Sequence, residues 1–195
     1  MKIIISNPLA LNKLQRLKLI YPLFSLDIEF FTDPELGCYL DSATRVIYDD
    51  LCVNKQIRLL AYTAEEMRTI NAWCRCFPRL SRFEVLSLYL AKREAAGIFA
   101  TQHLLREAAE SIDIQILGYD WLFDYLNDQQ VFHSMEIFNR WIELEKLLFS
   151  FTASTRPEFV RKFYHGRQET LYYRPIDLQG SVPKDESMNQ IRKSG

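Results

Sequence analysis

Glycine is scarce in this chain, at 6 of 195 residues, which argues against a fold built from many tight turns. Among the four cysteines only Cys74 and Cys76 lie close together, and no second pair completes a zinc site. The phosphate-binding patterns GxxxxGK and GxGxxG are absent. No apolar run approaches the roughly 18–20 residues of a bilayer span, and no cleavage site follows the N-terminal apolar run. We therefore expect a helix-rich cytoplasmic protein with reduced thiols and no membrane partner.

An excess of one charge is also lacking, because the formal net charge is −1. Any binding of nucleic acid must therefore come from a local patch. The one basic and aromatic-rich stretch is residues 156–174, where Arg161 and Lys162 lie among phenylalanines and tyrosines. Such residues can track phosphates and stack on unpaired bases. The alternative interpretation is a C-terminal helix with its apolar face on the domain and its basic face in solvent.

Short apolar segments alternate with helical patterns in the first part of the chain. Strands are predicted over residues 2–6, 27–32, 56–62, 97–101 and 113–117. Strands that alternate with helices predict an α/β fold, with a mostly parallel sheet covered on both faces. We place this domain at residues 1–126, a helical C-terminal extension at 127–175 and a polar, disordered tail at 176–195.

Polar residues mark several helix boundaries. Thr63 with Glu66, and Ser81 with Glu84, have the spacing of capping boxes. The pattern predicts one continuous helix over 8–23, capped by Asn7, and another over 33–50. It also predicts that Gly97 is the C-cap of the helix before it and that Thr101 is the N-cap of the helix after it. After residue 126, helices are predicted over 133–151 and 156–165.

The segment LSRFEVLSLYLAKREAAGIFATQHLLREAAESIDIQILGYDWLFDYL, residues 80–126, resembles the PIN-domain family. Members of its bacterial toxin–antitoxin branch read like LSxADASALALAxxxGATLLTGDxxLRxAAE, followed by a short strand and GTLWLLDxL. IIISNPLAL is similar to the family's opening strand, and FFTDPELGCYL to its second strand and helix. The resemblance covers most of the chain and implies a three-layer α/β/α domain with additional C-terminal helices.

The resemblance also implies a place for chemistry. PIN nucleases cut RNA with about four carboxylates that hold Mg²⁺ or Mn²⁺ at the carboxyl ends of the strands. Only one of the four matching positions here keeps a carboxylate, at Glu84. The other three positions are occupied by Ile5 or Ser6, by Gly37 or Cys38, and by Gln102. One carboxylate alone holds a hard divalent ion poorly.

Glu84 has two interpretations: it is the N3 residue of the Ser81 capping box, or it is a remnant metal ligand. A relocated acidic site is a further possibility, built from Glu84, Asp120 and Glu35, with Asp33 beside the last of these. Acidic residues near helix starts also favour the helix dipole without any metal.

The leading hypothesis is therefore a degenerate PIN-like protein without nuclease activity or cofactor, which binds RNA or a protein partner and pairs as a homodimer. Its candidate binding residues are Ser6, Asn7, Gln102, His103, Arg161 and Lys162. The alternative is an active Mg²⁺- or Mn²⁺-dependent ribonuclease, the toxin of a toxin–antitoxin pair, with the relocated acidic site.

Overall fold

The computed structural model describes residues 1–148, 157, 158, 160 and 161 of the chain. Five parallel strands form one sheet in the order β3-β2-β1-β4-β5. The strands are β1 (Lys2–Ile5), β2 (Glu29–Thr32), β3 (Ile57–Leu59), β4 (Gly97–Phe99) and β5 (Ile116–Leu117). The short strands β3 and β5 are thus the two edges of the sheet. The predicted α/β class with a parallel sheet is confirmed.

Eight α-helices in the described residues cover both faces of this sheet. They are α1 (Pro8–Arg16), α2 (Ile20–Phe24), α3 (Ser42–Val53), α4 (Ala64–Cys76), α5 (Arg82–Glu94), α6 (His103–Glu110), α7 (Tyr119–Asp128) and α8 (Ser134–Leu148). None of these helices is long and apolar enough to cross a membrane.

The central strand β1 divides the hydrophobic core into two layers. Ile3 and Ile5 belong to a buried cluster that includes side chains from α1, α2, α3, α7 and α8. Ile4 belongs to a second cluster with side chains from α4, α5 and α6. Successive side chains of a strand point to opposite faces of a sheet, so one apolar run supplies both layers of the three-layer sandwich.

Both predicted capping boxes are confirmed. Thr63 Oγ1 accepts from the N–H of Glu66 at 3.2 Å, and the Glu66 carboxylate accepts from the N–H of Thr63 at 2.7 Å. The Arg93 guanidinium also donates to Glu66, at 2.8 Å, and joins α5 to α4. The Thr63 N–H and Arg93 together lower the pKa of Glu66 to about 2. Asn7 caps α1 as predicted, by accepting from the N–H of Leu9 at 2.9 Å.

The predicted continuous helices over 8–23 and 33–50 are wrong. The first is interrupted because Lys18 adopts a left-handed conformation, φ 54°, and the N–H of Leu19 donates back to the C=O of Leu14 at 2.8 Å. This Schellman arrangement ends α1 and turns the chain into α2. The second is divided because a 3-10 helix, Leu36–Tyr39, precedes α3, which begins after the N-cap Asp41.

Two predicted caps are also wrong. Helix α5 ends at Ala95, in the left-handed region at φ 50°, and Gly97 instead opens β4. The N–H of Ala96 satisfies the C=O of Ala91 at 2.9 Å, so the glycine is not needed for the turn. The N-cap of α6 is Gln102 rather than Thr101, and its side chain makes no capping hydrogen bond.

Helix α8 packs against the preceding elements. Trp141 is fully buried and meets Phe123 of α7 edge-on, with ring centroids 5.1 Å apart. The Arg140 guanidinium donates to the C=O of Leu17 at the end of α1. Farther along, Val160 is buried in the same core cluster. The predicted disordered tail at 176–195 lies outside the described residues, and the domain boundaries remain predictions.

Candidate functional site

The strand order places a crevice at the carboxyl ends of β1 and β4. From β1 the chain continues outward through β2 and β3, and it then crosses to the other side of β1 to build β4 and β5. Ligands of open parallel sheets bind outside the carboxyl ends of the strands at such a reversal. Ser6 and Asn7 follow β1 here, and Thr101 and Gln102 follow β4.

Hydroxyl and amide groups form this crevice. Ser6 is buried, and its Oγ donates to the C=O of Phe99 at 3.3 Å, which ties β1 to β4. Gln102 is half-buried, and its Oε1 accepts from the N–H of Thr101 at 3.3 Å. His103 is exposed, with its Nδ1 3.4 Å from a carboxylate oxygen of Glu107. After β1 and β4, where the PIN resemblance implies carboxylates, the structure thus places the neutral, hydrogen-bonded side chains of Ser6 and Gln102.

A buried carboxylate lies at the end of the neighbouring strand β2. Asp33 is only 2% exposed, and its Oδ1 accepts from the N–H of Glu35 at 2.6 Å. Its Oδ2 is buried without a hydrogen bond that meets ordinary geometry. Glu35, the neighbour proposed for a relocated site, is exposed. Asp33, not Glu35, is therefore the acid that the fold encloses at this edge.

The surroundings of Asp33 set its protonation. Burial raises the pKa of the Asp33 carboxyl. The hydrogen bond from the N–H of Glu35 lowers this pKa, and the negative charge of Glu35 raises it further. Smaller effects of the Arg82 charge and the Tyr62 hydroxyl lower the pKa of Asp33. The pKa of Tyr62 is raised, first by burial and then by these two carboxylates. Buried charges that lack full hydrogen bonding are costly, and such groups cluster at functional sites.

Glu84, the candidate catalytic and metal residue, lies at the start of α5 and is engaged by Ser81. Its Oε2 accepts from the Ser81 N–H at 2.8 Å and from the Ser81 hydroxyl at 2.7 Å. In return, Ser81 Oγ accepts from the Glu84 N–H at 3.3 Å. Glu84 therefore completes a reciprocal capping box.

Asp120 lies at the opposite side of the crevice, in the first turn of α7. It is exposed, and its carboxylate folds over Gly118, where a side chain would collide with it. Strands β2 and β5 are separated by β1 and β4, so Asp33 and Asp120 follow strands roughly 14 Å apart, at about 4.8 Å per strand. In the part of the chain that the structure describes, no three His, Cys, Asp or Glu side chains are grouped to hold a metal ion.

Of the basic stretch at 156–174, the structure describes residues 157, 158, 160 and 161. Arg161 is exposed, and its N–H donates to the C=O of Pro157 at 3.0 Å, as in a helical turn. Lys162 lies outside the described residues. A role of these two residues in binding stays a prediction.

Sequence reasoning named Asp33 only as a neighbour of Glu35 and did not single out Tyr62 or Arg82. One signal was available for Asp33, because it directly follows the apolar strand FFT at the edge where ligands bind. No signal in the sequence showed that Tyr62 and Arg82 would lie near it, since they are distant along the chain.

The chain was compared with family models, with curated proteins and with solved structures. No family model, no curated protein and no solved structure matches the chain. The resemblance to PIN domains therefore stays a prediction from the sequence.

Proposed function

We propose that this protein is a degenerate, cytoplasmic PIN-like binding module without nuclease activity. Its ligand, an RNA or a protein of the antitoxin kind, would bind at the carboxyl edge of the sheet. Pairing of two copies through helices is part of the same proposal, because the resemblance implies it.

The observation that carries this proposal is that the Glu84 carboxylate is hydrogen-bonded within a capping box. It is the one carboxylate left at the four positions that the PIN resemblance assigns to metal ligands, and both Ser81 donors occupy its Oε2. The matching positions at the ends of β1 and β4 are occupied by Ile5 or Ser6 and by Gln102, which carry no charge and are poor ligands for a hard ion. Loss of ligand charge removes the means to generate hydroxide and to neutralise a phosphate transition state.

The test is cleavage of a mixed single-stranded RNA pool in the presence of Mn²⁺. Wild-type protein is compared with Glu84→Gln and with the matched variant Glu65→Gln, which alters another first-turn acid, outside a capping box. We expect no cleavage by any of the three proteins. Cleavage that Glu84→Gln abolishes and Glu65→Gln retains would overturn the proposal and favour the ribonuclease alternative. Loss on Asp120→Asn as well would identify the relocated acidic site.

A further inference from the structure

A cavity of about 250 Å³ opens between the α4–α5 connection and helix α6. Two charged residues, Arg79 and Glu107, contribute to its wall. The rest of the lining is mostly apolar and includes Phe77, Pro78, Leu80, Leu104 and Ala108. Leu104 follows Gln102 by two residues, and Leu80 directly precedes the Ser81 capping box, so the cavity adjoins the candidate site.

The segment that forms one wall of the cavity carries charge of one sign only. Between Met67 and Phe83 the chain has arginines and no acidic residue: Arg68, Arg75, Arg79 and Arg82. The flanking acids Glu66 and Glu84 are both engaged in capping boxes. The segment itself thus carries four positive charges and no negative one, although the whole chain is nearly neutral.

Three of these arginines are open to an external anion. Arg68, Arg75 and Arg79 are exposed, and the ion pairs found in the described residues involve none of them. Arg68 and Arg75 are seven residues apart on α4, so they lie on one face of that helix. Arg79 follows in the connection after α4 and lines the cavity. Exposed guanidinium groups without an ion pair are suited to the phosphates of an extended strand.

The cavity itself has the mixed character of a base-binding site. Phe77 packs edge-on against Trp73, with ring centroids 6.2 Å apart, which fixes its ring in place. Aromatic and apolar groups contact the flat face of an unpaired base, while Arg79 can donate to its polar edge and Glu107 can accept from it. A purely apolar peptide side chain would leave the Arg79 guanidinium in this wall without a partner, because Arg79, unlike Glu107 with its neighbour His103, has no ion pair in the described residues.

We propose that the cavity takes one unpaired base of a single-stranded RNA, whose phosphates follow Arg68, Arg75 and Arg79. This inference rests on the proposed function and deepens it by naming the ligand class. The site lies beside the crevice and requires no metal ion.

The first measurement is fluorescence anisotropy with a short fluorescein-labelled RNA of mixed sequence, titrated with the full chain between about 50 and 200 mM salt. The test variant is Arg68→Gln, Arg75→Gln, Arg79→Gln combined. The matched control is Arg16→Gln, Lys55→Gln, Lys146→Gln, which removes the same charge at other exposed positions. Each phosphate contact on a single strand contributes about 0.7 to the salt slope. We expect the test variant to lose about 2 from the slope and the control to keep it.

The second measurement addresses the cavity separately from charge. Ala108→Leu fills the cavity from α6, and Phe77→Leu removes its aromatic ring while keeping an apolar side chain. Base stacking contributes about 1–3 kcal/mol per base, so each variant should bind the RNA about tenfold more weakly. Thermal unfolding followed by circular dichroism is the control that checks whether both variants remain folded.

Three outcomes would overturn the inference: no RNA binding by the wild type, equal salt slopes for the test and control variants, or unchanged affinity in both cavity variants. Equal slopes with tight binding would show that the phosphate contacts lie elsewhere, with the basic stretch at 156–174 as the next region to substitute, and would leave the proposed function intact. RNA cleavage that depends on Glu84 would overturn the proposed function without affecting the cavity result, so the two failures are distinguishable.

Discussion

The side chains of Ser81 and Glu84 hold each other at the start of α5. Ser81 donates two hydrogen bonds to one carboxylate oxygen, at 2.8 and 2.7 Å, and receives one from the Glu84 N–H at 3.3 Å. This pair satisfies backbone donors that no intrahelical acceptor can reach. Stabilisation of the start of α5 is thus sufficient to explain why a glutamate occupies position 84, without any metal ion.

A double-mutant cycle on this pair tests that cause. Removal of an N-cap side chain costs about 0.5–2 kcal/mol, and we expect Ser81→Ala and Glu84→Ala each to lower the free energy of unfolding. The two losses should be less than additive, because each variant already breaks the hydrogen bond from the Ser81 hydroxyl to the Glu84 carboxylate. Urea unfolding measures all four proteins, with the Thr63 and Glu66 box as a parallel cycle. Strict additivity, or no loss for Glu84→Ala, would contradict the capping role.

Asp33→Asn should make the protein more stable at neutral pH. The amide keeps an acceptor for the N–H of Glu35 and removes the charge of a carboxylate that burial disfavours, with the Tyr62 hydroxyl giving only a small compensating effect. Burying a charge costs more than burying a neutral polar group, but the new amide NH2 is buried as well, so we expect a net gain of about 1 kcal/mol. The matched variant Glu35→Gln alters an exposed neighbour and should change stability little.

The same substitution should change the pH dependence of folding. Burial raises the pKa of Asp33 above its ordinary value of 3.8. The folded protein therefore binds this proton more tightly than the unfolded chain, and stability falls as the pH rises from about 3.8 through the folded pKa. Asp33→Asn removes this decline, so its advantage should shrink toward acid pH. Urea unfolding at acidic and neutral pH measures the difference, and an advantage that grows in acid would refute the assignment.

Ala95→Gly should also stabilise the protein. Ala95 has φ 50° and ψ 47°, a conformation that costs an L-residue about 1–2 kcal/mol and glycine far less. After allowance for the greater freedom of glycine in the unfolded chain, we expect a gain of about 0.5–1 kcal/mol in thermal or urea unfolding. The control Ala72→Gly, inside α4, should cost about 1 kcal/mol. A loss of stability for Ala95→Gly would mean that the methyl group packs more favourably than the geometry suggests.

The sequence was sufficient for features that depend on local chemistry. Five apolar segments predicted five strands, and two S/T-x-x-E patterns predicted two capping boxes. It was insufficient where a left-handed residue is not glycine, as at Lys18 and Ala95, because nothing in those side chains marks the end of a helix.

The candidate site was less predictable than the fold. The burial of Asp33 depends on packing between strand β2 and distant residues such as Tyr62, and the strand spacing that separates Asp33 from Asp120 depends on the order of the sheet. Neither is encoded within a short window of the chain. The cavity beside α6 likewise joins residues 76–80 to residues 104–108, which no local pattern connects.

The shortness of the two edge strands limits how another protein can attach. Strand β3 has three residues and β5 has two, and Arg58 on β3 is already ion-paired with Glu29 across the sheet at 3.0 Å. A foreign strand laid against either edge would gain few backbone hydrogen bonds and would meet a charged side chain at β3. Recruitment by strand addition is therefore disfavoured, and a binding partner must be selected by side-chain contacts with the helices and connections.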